Sequence, residues 1–118
     1  MTKVRTNNNE TTELSEQEQI NIWKQQYGDG NVLRIDTPHK NVDPTHKLKS
    51  YVKKPSLVTM SKVTRFGEEH IDKAISIFFE DSYLGGDPEV LQYDEYKISV
   101  FKSAMPMFEV PDSEVVKL

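Results

Sequence analysis

The stretch Phe78-Phe79-Glu80-Asp81-Ser82-Tyr83-Leu84-Gly85-Gly86-Asp87-Pro88-Glu89 decides the architecture. It joins the most apolar helical pattern in the chain to everything that follows. Two glycines between carboxylates have three readings. Their free N–H groups next to a helix start could cradle an anion. The flanking Glu80, Asp81, Asp87 and Glu89 repel a phosphate, and no Lys and Ser/Thr follow in the next turn as a phosphate loop requires. A cation suits the charge better, yet the alternating oxygen ligands and closing Glu of a calcium loop are missing. The structural reading uses every residue. Leu84 ends a helix, Gly85 or Gly86 takes positive φ, and Asp87 caps the next helix with Pro88 at its first position. Gly85, Gly86 and Asp87 are therefore assigned as a structural corner without chemistry.

The segment leading into the corner, Glu68 to Leu84, carries Ile71, Ala74, Ile75, Phe78 and Phe79 on one wide stripe. Glu68, Glu69, Asp72 and Lys73 fall elsewhere on the wheel. Upstream, Ser56 caps a helix with Leu57, Met60 and Val63, and Gly67 interrupts it. Downstream, Asp94 and Glu95 open a last helix that turns Ile98, Phe101, Ala104 and Met105 inward. Pro106 stops or kinks it. Near the start, Ser15 and Glu18 form a capping box for a helix over 16–27, with Ile20, Trp23 and Tyr27 as its stripe and Gly28 as its cap. Segments 31–37 and 47–54 read as strands joined by the turn-rich loop Pro38-His39-Lys40-Asn41-Val42-Asp43-Pro44-Thr45-His46. The sum is an α+β fold: a small β-hairpin packed on a compact bundle of about four helices. Residues 1–13 read as a disordered arm, 14–108 as a single domain and 109–118 as a tail.

Composition narrows the function. The 118 residues carry a net charge of −4 and no cysteine. Disulfides, zinc-thiolate sites and thiol nucleophiles are thereby excluded. General nucleic-acid affinity is disfavoured, and Tyr51 alone makes a poor stacking platform beside the basic strand. No apolar run approaches the ~20 residues that span a bilayer. The N-terminus lacks the apolar core of a secretory signal, so the chain is expected to be soluble and cytoplasmic. His39 and His46 with Asp43 could ligate zinc, but their spacing fits no helical pair and a solvated loop is the better reading. His70 reads as exposed beside Glu69. No glycine-flanked nucleophilic serine occurs, and adjacent Glu80 and Asp81 point apart. The expectation is a non-enzyme with no cofactor and no metal.

Charge is segregated. Lys47, Lys49, Lys53, Lys54, Lys62 and Arg65 lie in a span without acids, and Glu80, Asp81, Asp87, Glu89, Asp94 and Glu95 in a span without bases. The blocks could face each other within the domain, stay solvated, or dock onto another copy or a partner.

Several features occur in one order: Leu14-Ser15 before a capped helix, Trp23-Lys24 with Tyr27-Gly28, Tyr51-Val52-Lys53-Lys54-Pro55-Ser56, Ala74 with Phe78, Tyr83 through Glu89, and Asp94-Glu95. This set resembles a family of small tailed-bacteriophage proteins and is similar to phage tail-assembly chaperones. The resemblance covers about residues 14–105. It implies a protein of the host cytoplasm that holds a phage tail or tape-measure protein through protein contacts, often as a homo-oligomer. Candidate contact residues are Trp23, Tyr27, the surplus width of the 71–79 stripe, Met105, Met107 and Phe108. Methionine suits surfaces that adapt to varied partners. The alternative is a small phage inhibitor that binds a host defence protein through its acidic block.

Overall fold

A computed structural model describes residues 15–40, 45–67, 69–108 and 112–118. Among them are five α-helices and a three-stranded antiparallel sheet, an α+β fold. The elements are α1 (Glu16–Tyr27), β1 (Val32–Pro38), β2 (Lys47–Lys53), α2 (Leu57–Phe66), α3 (Ile71–Ser82), β3 (Tyr83–Gly86), α4 (Glu89–Gln92) and α5 (Asp94–Ala104). Short 3-10 turns cover Asp29–Asn31 and Met105–Phe108. The sequence drew one domain over 14–108. The contacts divide the chain at Val32 and Leu33 into two units. The arm at 1–13 and residues 109–111 of the tail lie outside the described residues. No described helix is long and apolar enough to cross a membrane.

In the first unit, α1 follows its capping box closely. Ser15 Oγ accepts from the Glu18 N–H at 3.2 Å, and Glu18 Oε1 accepts from the Ser15 N–H at 3.0 Å. Those bonds hold the Glu18 carboxyl below its ordinary value, the backbone bond contributing most. Gly28 ends the helix with φ of 99° and ψ of 140°. That is positive φ as expected, but extended rather than left-handed helical. Asn31 Nδ2 donates to the Tyr27 carbonyl at 2.8 Å and satisfies one of the helix's last acceptors.

In the second unit, α2 packs beside α3, and α3 beside α5. Their inward faces meet β2 in one apolar cluster. It contains Leu48 and Val52 from β2, Val63 from α2, and Ala74, Ile75 and Phe78 from α3. Val90 comes from α4, Tyr96, Val100, Phe101 and Ala104 from α5, and Phe108 from the last turn. Phe78 is fully buried and meets Phe101 edge-on, with centroids 5.5 Å apart.

The glycine corner differs most from its sequence reading. Helix α3 stops at Ser82, and Tyr83–Gly86 form a third strand antiparallel to β2. Ser50 lies opposite Gly86, Tyr51 opposite Gly85 and Val52 opposite Tyr83, so Leu84 is one extra residue, a bulge. Gly86 alone of the pair has positive φ, at 139°. Its backbone presses on β2: a Cβ there would sit 2.2 Å from the Lys49 carbonyl oxygen. Asp87 does not cap the next helix. Its N–H donates to the Lys49 carbonyl at 2.9 Å, and its Oδ2 accepts from the Lys49 N–H at 2.7 Å. Pro88 is already helical, and α4 starts without a side-chain cap. Backbone pairing with β2 outcompeted local capping, since it satisfies strand groups that would otherwise be buried unpaired.

Other inward assignments also shift. Ile71 at 44 % exposure and Ile98 at 37 % are partly open to solvent, and Leu57 at 83 % stands largely in it. Phe79 is half-buried. Thr59 takes an inward place on α2, and Tyr96 and Val100 complete the core side of α5. Pro106 ends α5 as its ring chemistry requires, and the chain continues as a 3-10 turn.

Gly86→Ala is expected to cost about 3 kcal/mol or more, because strained φ and the clash with Lys49 break the strand contact together. Urea denaturation measures it. The opposite sign is expected at Ser82, which is fully buried with its hydroxyl unpartnered among the described residues. Ser82→Ala removes that desolvated group and raises helix propensity, so it should stabilise by about 0.5–1 kcal/mol in the same assay.

Candidate functional site

The sequence-derived chemical sites resolve first. His39 is not in a solvated loop: its side chain is 10 % exposed, and Nε2 lies 2.7 Å from Glu89 Oε2. Its ring faces His46 at 5.5 Å and Tyr96 at 6.0 Å. The Lys40 N–H donates to the buried Tyr96 hydroxyl at 3.1 Å, and Lys40 Nζ meets Glu95 at 2.7 Å. The far end of the hairpin is thus pinned to α4 and α5, and the histidine is a strut. Asp43, the third proposed zinc ligand, lies outside the described residues. Among the described residues no group of three or more His, Asp or Glu could hold a metal ion. His70 is exposed, as its sequence context implied, with its ring edge-on to Phe66.

Acidic-block residues are largely engaged within the domain. Asp81 Oδ2 accepts from the Ser56 N–H at 2.8 Å, and Oδ1 lies 3.3 Å from Lys53 Nζ. Burial pushes the Asp81 carboxyl up, but the Ser56 N–H, the Thr59 hydroxyl and Lys53 together hold it below the usual carboxylate range. One carboxylate therefore ties the end of β2 and the start of α2 to the end of α3. Asp87 and Glu89 bind Lys49 and His39 as above. Burial also pushes the Tyr83 phenol up, opposed by the nearby Ser50 hydroxyl and reinforced by Asp87. Tyr83 Oη and Ser50 Oγ nevertheless lack hydrogen-bond geometry to any described group.

What remains open to a ligand is apolar surface. Ile71, Asp72, Ile75 and Ser76 of α3 face Asp94, Lys97 and Ile98 of α5 across a trough of about 200 Å³. A second hollow of about 360 Å³ is lined by Ser76, Phe79, Glu80, Tyr83, Leu91 and Lys97. The two share Ser76 and Lys97, so they adjoin, and together they make the open channel along the outer side of α3. Helix periodicity explains it. The stripe from Ile71 to Phe79 is wider than one core can cover, so its margins are left exposed at Ile71 and half-covered at Phe79. The sequence had marked this surplus width as contact surface. It missed Ile98, placed in the core, and Leu91, Ser76 and Lys97, which no local pattern distinguishes. A third open surface of about 440 Å³ lies on α2, lined by Leu57, Met60, Ser61, Thr64 and Arg65.

The other proposed contact residues separate. Met107 is exposed, Met105 packs partly against the core, and Phe108 is 5 % exposed inside it. Phe108 is thus withdrawn from contact, because the 3-10 turn Met105–Phe108 places it in the core. Trp23 is half-buried and Tyr27 exposed on α1. Comparison with protein-family models, with curated proteins and with solved structures finds no match.

The Asp81 knot makes a pH prediction. A carboxyl held low in the folded state adds stability above its unfolded pKa, and that stability is lost as pH falls through the folded value. Asp81→Asn should cost about 1–3 kcal/mol at neutral pH. The gap between variant and parent should close on acidification, once both side chains are neutral. Denaturant melts across the acid range measure it.

Proposed function

We propose that this chain is a non-enzymatic assembly or chaperone protein of the tailed-phage type, working in the host cytoplasm through protein contacts. The observation that carries the reading is the channel along α3, where Ile71, Ile98 and Leu91 stand exposed around Ser76 and Lys97. An apolar trough with a sparse charged rim suits apolar side chains of a partner segment, bound helix-in-groove. The resemblance over residues 14–105 supplies the partner class, a phage tail or tape-measure protein. A tape-measure segment kept from aggregating needs such a surface and no chemistry. Reading the chain as an inhibitor with an acidic decoy face has less support, since Asp81, Asp87, Glu89 and Glu95 accept bonds from their own chain.

Co-expression with a tape-measure protein is the test. The chain should keep that protein soluble and co-purify with it. Ile98→Asp, at an exposed position, should weaken the complex at least about tenfold without altering the fold. A tape-measure protein that aggregates equally with and without the chain removes the proposal. Equal binding by the Asp variant removes the channel from it.

A further inference from the structure

The channel along α3 is not the chain's most exposed apolar surface. On α2, Leu57 is 83 % and Val58 64 % exposed. Their neighbours in sequence include Lys54, Lys62 and Arg65 and no acid, and the carboxylate at the helix start, Asp81, is engaged by the Ser56 N–H and Lys53. A second unpartnered apolar element is the segment 112–118, which has no regular secondary structure. There Val115 is 96 %, Val116 68 % and Leu118 114 % exposed, so most of their apolar surface lies in solvent. That segment holds Asp112 and Glu114 against a single Lys117. Its sign is opposite to that of α2.

We infer that segment 112–118 of one copy docks on the exposed face of α2 of a second copy. Spacing supports it. In an extended segment alternate side chains share a face and recur every ~6.6 Å, which places Glu114, Val116 and Leu118 in one row. On a helix, residues four apart recur every ~6 Å, which places Arg65, Ser61 and Leu57 in one row. Laid antiparallel, the rows bring Glu114 to Arg65, Val116 to the shallow surface at Ser61 and Met60, and Leu118 to Leu57. Both apolar groups leave water and the end charges pair. Reciprocal exchange of the segment between two copies makes two such contacts about one twofold axis and closes a dimer. Self-association through α2 stands apart from partner binding along α3, so failure of either leaves the other intact.

Sedimentation velocity of the full chain over rising concentration tests it. The expected result is a shift toward twice the monomer mass. Leu57→Asp and Val116→Asp, both at exposed positions, should each weaken association at least about tenfold while circular dichroism stays unchanged. Arg65→Glu and Glu114→Arg should each weaken it about threefold, and together recover it. A chain that stays monomeric at every concentration overturns the inference. So does association indifferent to the Asp variants, or a double charge reversal weaker than either single one. A monomer whose segment 112–118 gives amide signals that move in Leu57→Asp overturns it too, because the segment then docks within its own chain.

Discussion

The close approach of Gly86 to the Lys49 backbone is the constraint on which the second unit depends. Asp87 brackets Lys49 from both sides, with its N–H on the carbonyl and its carboxylate on the N–H. The two strands come this close only because position 86 carries no Cβ. That contact turns the end of α3 into a third strand. It sets where α4 begins, and so places Val90 in the core and Glu89 beside His39. A side chain at 86 would push β3 off β2 and loosen the struts beyond it.

Polar contacts then repeat one theme. Asp87, Asp81, Glu89 and Glu95 each reach a strand end, a helix start or the hairpin's far end. For Asp87 and Asp81 the value lies less in Coulomb attraction, which is small at half-exposed sites, than in satisfying the Lys49 and Ser56 backbone donors, whereas Glu89 and Glu95 hold side chains, His39 and Lys40. The acidic block is thus mostly scaffold. Unspent surface is apolar: the channel along α3 and the open face of α2. Both arise because short helices carry stripes wider than one small core can cover.

Local chemistry was legible wherever the deciding partner lies within a turn. Ser15 with Glu18, Ser56 as a cap, the stop at Pro106 and the stripe from Ala74 to Phe78 all depend on neighbours three or four residues away. Positions settled by distant partners were misread. Asp87 looked like a helix cap because Pro88 follows it, yet its carboxylate is taken by Lys49, 38 residues earlier. His39 looked solvated because its loop is polar, yet Glu89 lies 50 residues on. Ile98 looked buried because it fits the helical period, yet it faces α3 across an open trough rather than packing against it.

Sequence by itself determined the α+β class, the starts of α1, α2 and α5, the two long strands and an apolar stripe broader than needed. Those follow from periodicity and capping, which act over a few residues. Tertiary structure alone decided that Tyr83–Gly86 would pair with β2, which carboxylates would be used up in the scaffold, and which apolar side chains would stay in water. Each of those is a competition between a local preference and a partner far along the chain. Only the folded backbone brings the two within hydrogen-bond or van der Waals reach.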